Sequence, residues 1–174
     1  SAALLFNFDA VAVAVKSGNL TTVEQEITGF FRQLQAKRYE INISKTYALE
    51  LFMVIIRQSK VDAMESYISK LSELMTLDYL EQLQEFIQAI ALQVTKENYN
   101  RIVTTHNKLI KQVIHYIQEH LAEEDLTLKG LASEVFYMNV SYLSKLFLRE
   151  TGEKFSHYLM RVRMEKAKEL IAEH

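Results

Sequence analysis

The chain has 174 residues, 49% of them hydrophobic, with 20 Lys/Arg against 22 Asp/Glu and a net charge of −2. This much apolar chain excludes a disordered segment and is enough for one or two domains with real cores. No cysteine is present, which excludes disulfides, thiolate metal sites and a cysteine nucleophile, while no proline and four glycines leave an all-α composition.

The most apolar run, Ala48 to Ile56, is short and interrupted by Glu50, so it does not span a bilayer. No signal-like segment is read, and the expected location is cytoplasmic, with no membrane partner. From Thr104 to His174 there are ten Lys/Arg and ten Asp/Glu, so any affinity for nucleic acid has to come from a local basic face.

In chain order, Ala2 to Lys16 is expected to be a helix ended at Ser17-Gly18-Asn19, although Val11, Val13 and Val15 alternate as a strand would. The chain opens abruptly on this apolar segment, as a piece of a longer protein would. Thr21 with Glu24 reads as a capping box, opening a helix with Val23, Ile27, Phe30, Phe31 and Leu34 on one face and an end near Lys37-Arg38. Ser44 is expected to cap the next helix, which is apolar over most of its circumference and so belongs at the centre of an N-terminal helical bundle. A shorter helix is expected from about Asp62 to Leu74, with Met64, Tyr67, Ile68 and Leu71 inward. Leu80, Leu83, Ile87, Ile90 and Val94 follow at spacings of three and four. That seam suits either a bundle core or a homodimer interface. Asn98–Asn100 marks a weak break, and a helix from about Val103 to Leu121 follows. The expected organisation is a connector or dimerisation region over 1–102 and a second region over 103–174.

Leu126 to Gly152 reads as two short helices joined by a tight turn, the size of a helix-turn-helix. Thr127 and Asn139 are the expected N-caps, and Gly152 the left-handed residue that ends the second helix, 140–151. A wheel at about 100° per residue puts Val140, Leu143 and Phe147 on one face, with Leu146 at its edge. Ser141, Lys145, Leu148 and Arg149 fall opposite, with Tyr142 and Ser144 on the flanks. Ser156 is expected to cap a last helix, with Phe155, Leu159, Val162, Ala167, Leu170 and Ile171 inward.

Several pieces of this region resemble the DNA-binding domain of AraC/XylS-type transcription regulators. They are Leu128–Ala132 (LKGLA), Ser141–Phe147 (SYLSKLF), Glu150–Gly152 (ETG), Tyr158-Leu159, and Arg163 with Ala167. The resemblance implies a cytoplasmic, sequence-specific regulator whose helix 140–151 enters the major groove of double-stranded DNA. It places Ser141, Ser144 and Lys145 among base-reading positions, and Tyr142 and Arg149 among candidates for phosphate contact. Arg163 would be a structural bridge. Leu148 departs from the pattern, which has a basic residue there. Gly130 is unusual inside a helix, where it either permits close helix packing or weakens the unit. The family's second helix-turn-helix would lie beyond His174. The N-terminal part is similar, by helix pattern, to the connector of YesN-like response regulators of two-component systems. The other reading keeps 2–94 as a protein-interaction or dimerisation module and the helical pair as a packing unit without DNA binding.

Two further site readings are bland. His106, His115 and His120 are spaced by nine and five, which does not gather them on one helical face for a metal. Phe30, Phe31, Tyr47 and Phe52 are expected to be plain core rather than an effector pocket, and no effector is assigned. No phosphate loop, zinc-protease or nucleophile-elbow motif occurs, so neither an enzyme nor a cofactor is expected.

Overall fold

The computed structural model describes residues 2–173, and every regular element among them is helical. The chain divides into two compact units, one ending at Ile102 and the other beginning at Val103. No helix among the described residues is long and apolar enough to cross a membrane.

The first unit contains α1 (Phe8–Lys16), α2 (Leu20–Lys37), α3 (Ile41–Ile56), α4 (Val61–Ile68), α5 (Leu71–Thr76) and the larger part of α6 (Leu80–Glu119). The alternating valines of α1 are helical: Val11 and Val15 are buried four residues apart, and Val13 is exposed between them. The helix starts at Phe8 rather than near Ala2, because Asn7 caps it by accepting from Ala10 N. The cap of α2 is Asn19, whose Oδ1 accepts from Thr22 N at 3.1 Å, and not the expected Thr21. Gly18, at φ +75°, has just ended α1, and the chain re-enters a helix at the first residue able to cap it. Ser44 likewise does not cap α3: the helix begins at Ile41, and Ser44 is buried within it.

The expected Asp62–Leu74 helix is two helices. The Ser69 hydroxyl turns back to the Ser66 carbonyl at the break, a local bond that competes with the helix ladder. Tyr67 is buried and donates to Glu97 at 2.9 Å, and burial and that bond raise its pKa well above the phenol range. Ile68, expected inward, is 45% exposed.

The seam on α6 is spent inside the unit. Leu83, Ile87, Ile90 and Val94 are buried in the core with Phe30, Phe31, Phe52 and Ile55, and Leu80 packs at its margin. Of the two readings of this seam, the bundle core accounts for the burial of Leu83, Ile87, Ile90 and Val94. Phe30, Phe31 and Phe52 are core as well, while Tyr47 stacks on Tyr39. The weak break at Asn98–Asn100 is absent. Asn98 is buried, and its amide donates to Val15 O at 2.9 Å and Gln58 O at 3.0 Å, so its hydrogen bonds go to other segments rather than to unwinding α6.

Gly18 also lies close against Tyr99 of α6. A Cβ there would lie 2.8 Å from Tyr99 Cα, at a backbone angle L-residues avoid. Gly18→Ala is expected to lower the stability of this unit by at least ~1–2 kcal/mol from the left-handed backbone alone. Urea denaturation beside the parent chain measures it, and an unchanged midpoint would refute the contact.

The second unit holds the last turns of α6, then α7 (Leu128–Gly130), continued by a π-helical turn (Leu131–Val135), then α8 (Val140–Thr151) and α9 (Phe155–Ala172). Its core is Ile110, Val113 and Ile117 of α6 with Leu126, Leu131, Ala132, Leu143, Leu146, Phe147, Tyr158 and Leu159. The cap of α9 falls at Lys154, two residues before the expected Ser156, and makes no side-chain bond. Packing reaches α9 only as far as Val162. Leu170 and Ile171, expected inward, are 48% and 76% exposed.

Candidate nucleic-acid interface

The surface of interest is the outer side of α8, and four local bonds set that helix in place. Thr127 Oγ1 accepts from Gly130 N at 3.0 Å and starts α7. The first helix closes by a wide turn, with Phe136 N bonded to Leu131 O and Met138 N to Ala132 O. Asn139 Oδ1 then accepts from Tyr142 N at 3.0 Å and starts α8, a bond worth about 1 kcal/mol. Between them Tyr137 sits at φ +50°, 82% exposed, where the chain reverses. Gly152, at φ +78°, ends α8. Gly130 answers a local need: a Cβ there would meet Thr127 Oγ1 at 3.1 Å, so the glycine leaves room for the cap rather than for a neighbouring helix.

The inner side of α8 is sealed. Leu143, Leu146 and Phe147 are buried, and the Phe147 ring meets Phe155 and Tyr158 edge-on. Val140, expected inside, is 40% exposed. Arg163 ties α9 to the loop before α7, donating from Nε to Leu121 O at 3.1 Å and from Nη2 to Glu123 O at 2.5 Å. Arg161 is held by Glu153 and Glu165 and lies 5.2 Å from the Tyr158 ring centre. Burial raises the Tyr158 pKa, against the lowering pull of Arg161.

The outer side divides into two parts. Ser141, Ser144 and Lys145 are exposed, and their side chains make no hydrogen bond or ion pair among the described residues. Leu148 stands beside them, 43% exposed. On one flank, Tyr142 and Arg149 are exposed but engaged. Tyr142 Oη lies 2.7 Å from His106 Nε2, and Arg149 Nη2 lies 2.7 Å from His106 Nδ1. Arg149 Nε also faces Glu150 at 3.4 Å. Sequence reasoning assigned His106 only to the surface. The other two histidines considered beside it go elsewhere: His115 pairs with Glu119, and His120 stacks on Tyr116.

The site therefore combines a helix with a rigid apolar grip, two free hydroxyls, a free ammonium and an anchored guanidinium–phenol pair. These are donor groups for anionic and base-edge acceptors. Over 59 residues the chain is 48% identical to the uncharacterized transcriptional regulatory protein YesN of Bacillus subtilis, covering 34% of this chain and 16% of that protein. Over 68 residues it is 40% identical to the regulatory protein PocR of Salmonella typhimurium, covering 39% of this chain and 22% of PocR. The chain is similar, in part, to regulators. It spans less than a quarter of the length of either one. No family model and no solved structure matches.

Proposed function

We propose that this chain is part of a cytoplasmic, non-enzymatic transcription regulator of AraC/XylS type that binds double-stranded DNA through a helix-turn-helix made of α7 and α8. In this reading α8 lies in a major groove. Ser141, Ser144 and Lys145 meet base edges, and Tyr142 and Arg149 meet backbone phosphates. The observation that carries the reading is the state of the α8 outer side. Its three candidate base-reading side chains are exposed and unengaged among the described residues, while the opposite side is locked into a core. The partial similarity to YesN and PocR supports the same class.

Lys and Arg contacts to phosphate release counterions, so affinity falls with salt by a slope of about −0.9 for each phosphate neutralised. A surface with so few cations is expected to bind duplex DNA weakly, with a shallow slope of about −1 to −3. Fluorescence anisotropy of a labelled duplex from low to physiological salt measures it. A chain that stays folded yet binds no duplex at low salt would overturn the proposal.

A further inference from the structure

We infer that His106 is a positioning residue of this surface, whose imidazole aims the Tyr142 hydroxyl and the Arg149 guanidinium at one backbone phosphate. This rests on the DNA-binding reading above and names a residue it does not include.

The chemistry of the three groups fixes who donates. A guanidinium has only donors, so at 2.7 Å from Arg149 Nη2 the His106 Nδ1 must be the acceptor. A neutral ring with its lone pair on Nδ1 carries its hydrogen on Nε2. That N–H therefore donates to Tyr142 Oη, 2.7 Å away. The phenol oxygen is occupied as an acceptor, and its own O–H is left to donate elsewhere. Tyr142 and Arg149 stand seven residues apart, two turns along one flank of α8, and one ring between them holds both.

The free valences of this trio are all donors. They are the Tyr142 O–H and the guanidinium N–H groups of Arg149 not facing His106 or Glu150, on a side chain 61% exposed. Two donors on one flank, outside the line of Ser141 and Lys145, suit the oxygens of a phosphate beside the groove rather than a base edge. A free surface arginine samples many rotamers and loses them on binding, whereas an arginine already held by His106 loses fewer. His106 therefore acts on affinity through its partners, without touching DNA itself.

The test uses the full chain and a labelled mixed-sequence duplex, because a phosphate contact does not depend on sequence. His106→Phe keeps the ring shape and removes both nitrogens. It is expected to weaken binding about three- to tenfold on every duplex, with no change in melting temperature. His106→Gln supplies an acceptor and a donor at similar separation and is expected to restore most of the loss. In a Tyr142→Phe, Arg149→Ala background, His106→Phe is expected to have less than a twofold effect. Nitrogen NMR of the parent chain is expected to show the Nε2–H tautomer, with or without DNA. Unchanged affinity of His106→Phe, the full effect surviving in the double-variant background, or an Nδ1–H tautomer would each overturn the inference while leaving the DNA-binding reading intact. A parent chain that binds no duplex overturns both.

Discussion

Phe147→Ala is expected to destabilise the second unit strongly while leaving the first intact. The ring is fully buried, 5.8 Å from Phe155 and 5.3 Å from Tyr158 by ring centres, both edge-on. Removing a buried phenylalanine costs about 3–5 kcal/mol, since the cavity forfeits contacts as well as burial, and edge-to-face pairs add to that loss. A unit of this size carries only about 4–10 kcal/mol in total at typical per-residue values. Few of its neighbours can fill the gap, because α8 is held at both ends by its Asn139 cap and its Gly152 stop. Hydrogen exchange read by mass spectrometry resolves the two units. The expected pattern is weakened protection over 103–173 with protection unchanged in α2 and α3. Phe147→Leu, which keeps most of the volume, is expected to fall between the parent and the alanine variant. Uniform loss across the chain, or none, would contradict a core private to the second unit.

Lys145→Glu is expected to reduce duplex binding more than tenfold at low salt. The ammonium is exposed and has no partner among the described residues, so the substitution breaks no described contact and its effect reports on the ligand. In the proposed complex it removes a donor to guanine acceptors, worth ~1–3 kcal/mol when well aligned and near the low end for lysine. It also puts a carboxylate against a polyanion. The comparison with neighbouring variants assigns the role. Lys145→Ala is expected to narrow the preference for a duplex selected from a randomised pool over a scrambled one. Arg149→Ala is expected to weaken both alike and to reduce the salt slope by about 0.9, the signature of one lost phosphate contact. Equal losses on selected and scrambled duplexes for Lys145→Ala would remove its base-reading role. Unchanged binding for Lys145→Glu would remove α8 from the interface.

Both predictions depend on features of very different legibility. The caps at Thr127 and Asn139, the stop at Gly152 and the inward set of Leu143 and Phe147 could all be read from the residues, and all stand in the structure. Each is a local matter: an Asn side chain reaches an amide three residues on wherever the helix is placed, and the wheel is a property of one helix. The misplaced caps at Thr21, Ser44 and Ser156 show the limit of that reasoning. A residue able to cap does so only if the chain enters the helix there. The Gly18 turn set the start of α2, and packing made Ser44 an interior residue.

The sequence by itself determined that the described chain is helical, which face of α8 is greasy, and that Ser141, Ser144 and Lys145 share its outer side. Periodicity gives the angle of a side chain about its own axis, and that is all those conclusions need. Only the tertiary structure decided what covers each face. It turned the Leu83–Val94 seam into internal core, left Val140, Leu170 and Ile171 exposed, and brought Tyr99 against Gly18. It also set His106 against two side chains that lie 36 and 43 positions further along the chain. Contacts between segments so far apart depend on how helices pack, and no spacing within a single helix encodes that.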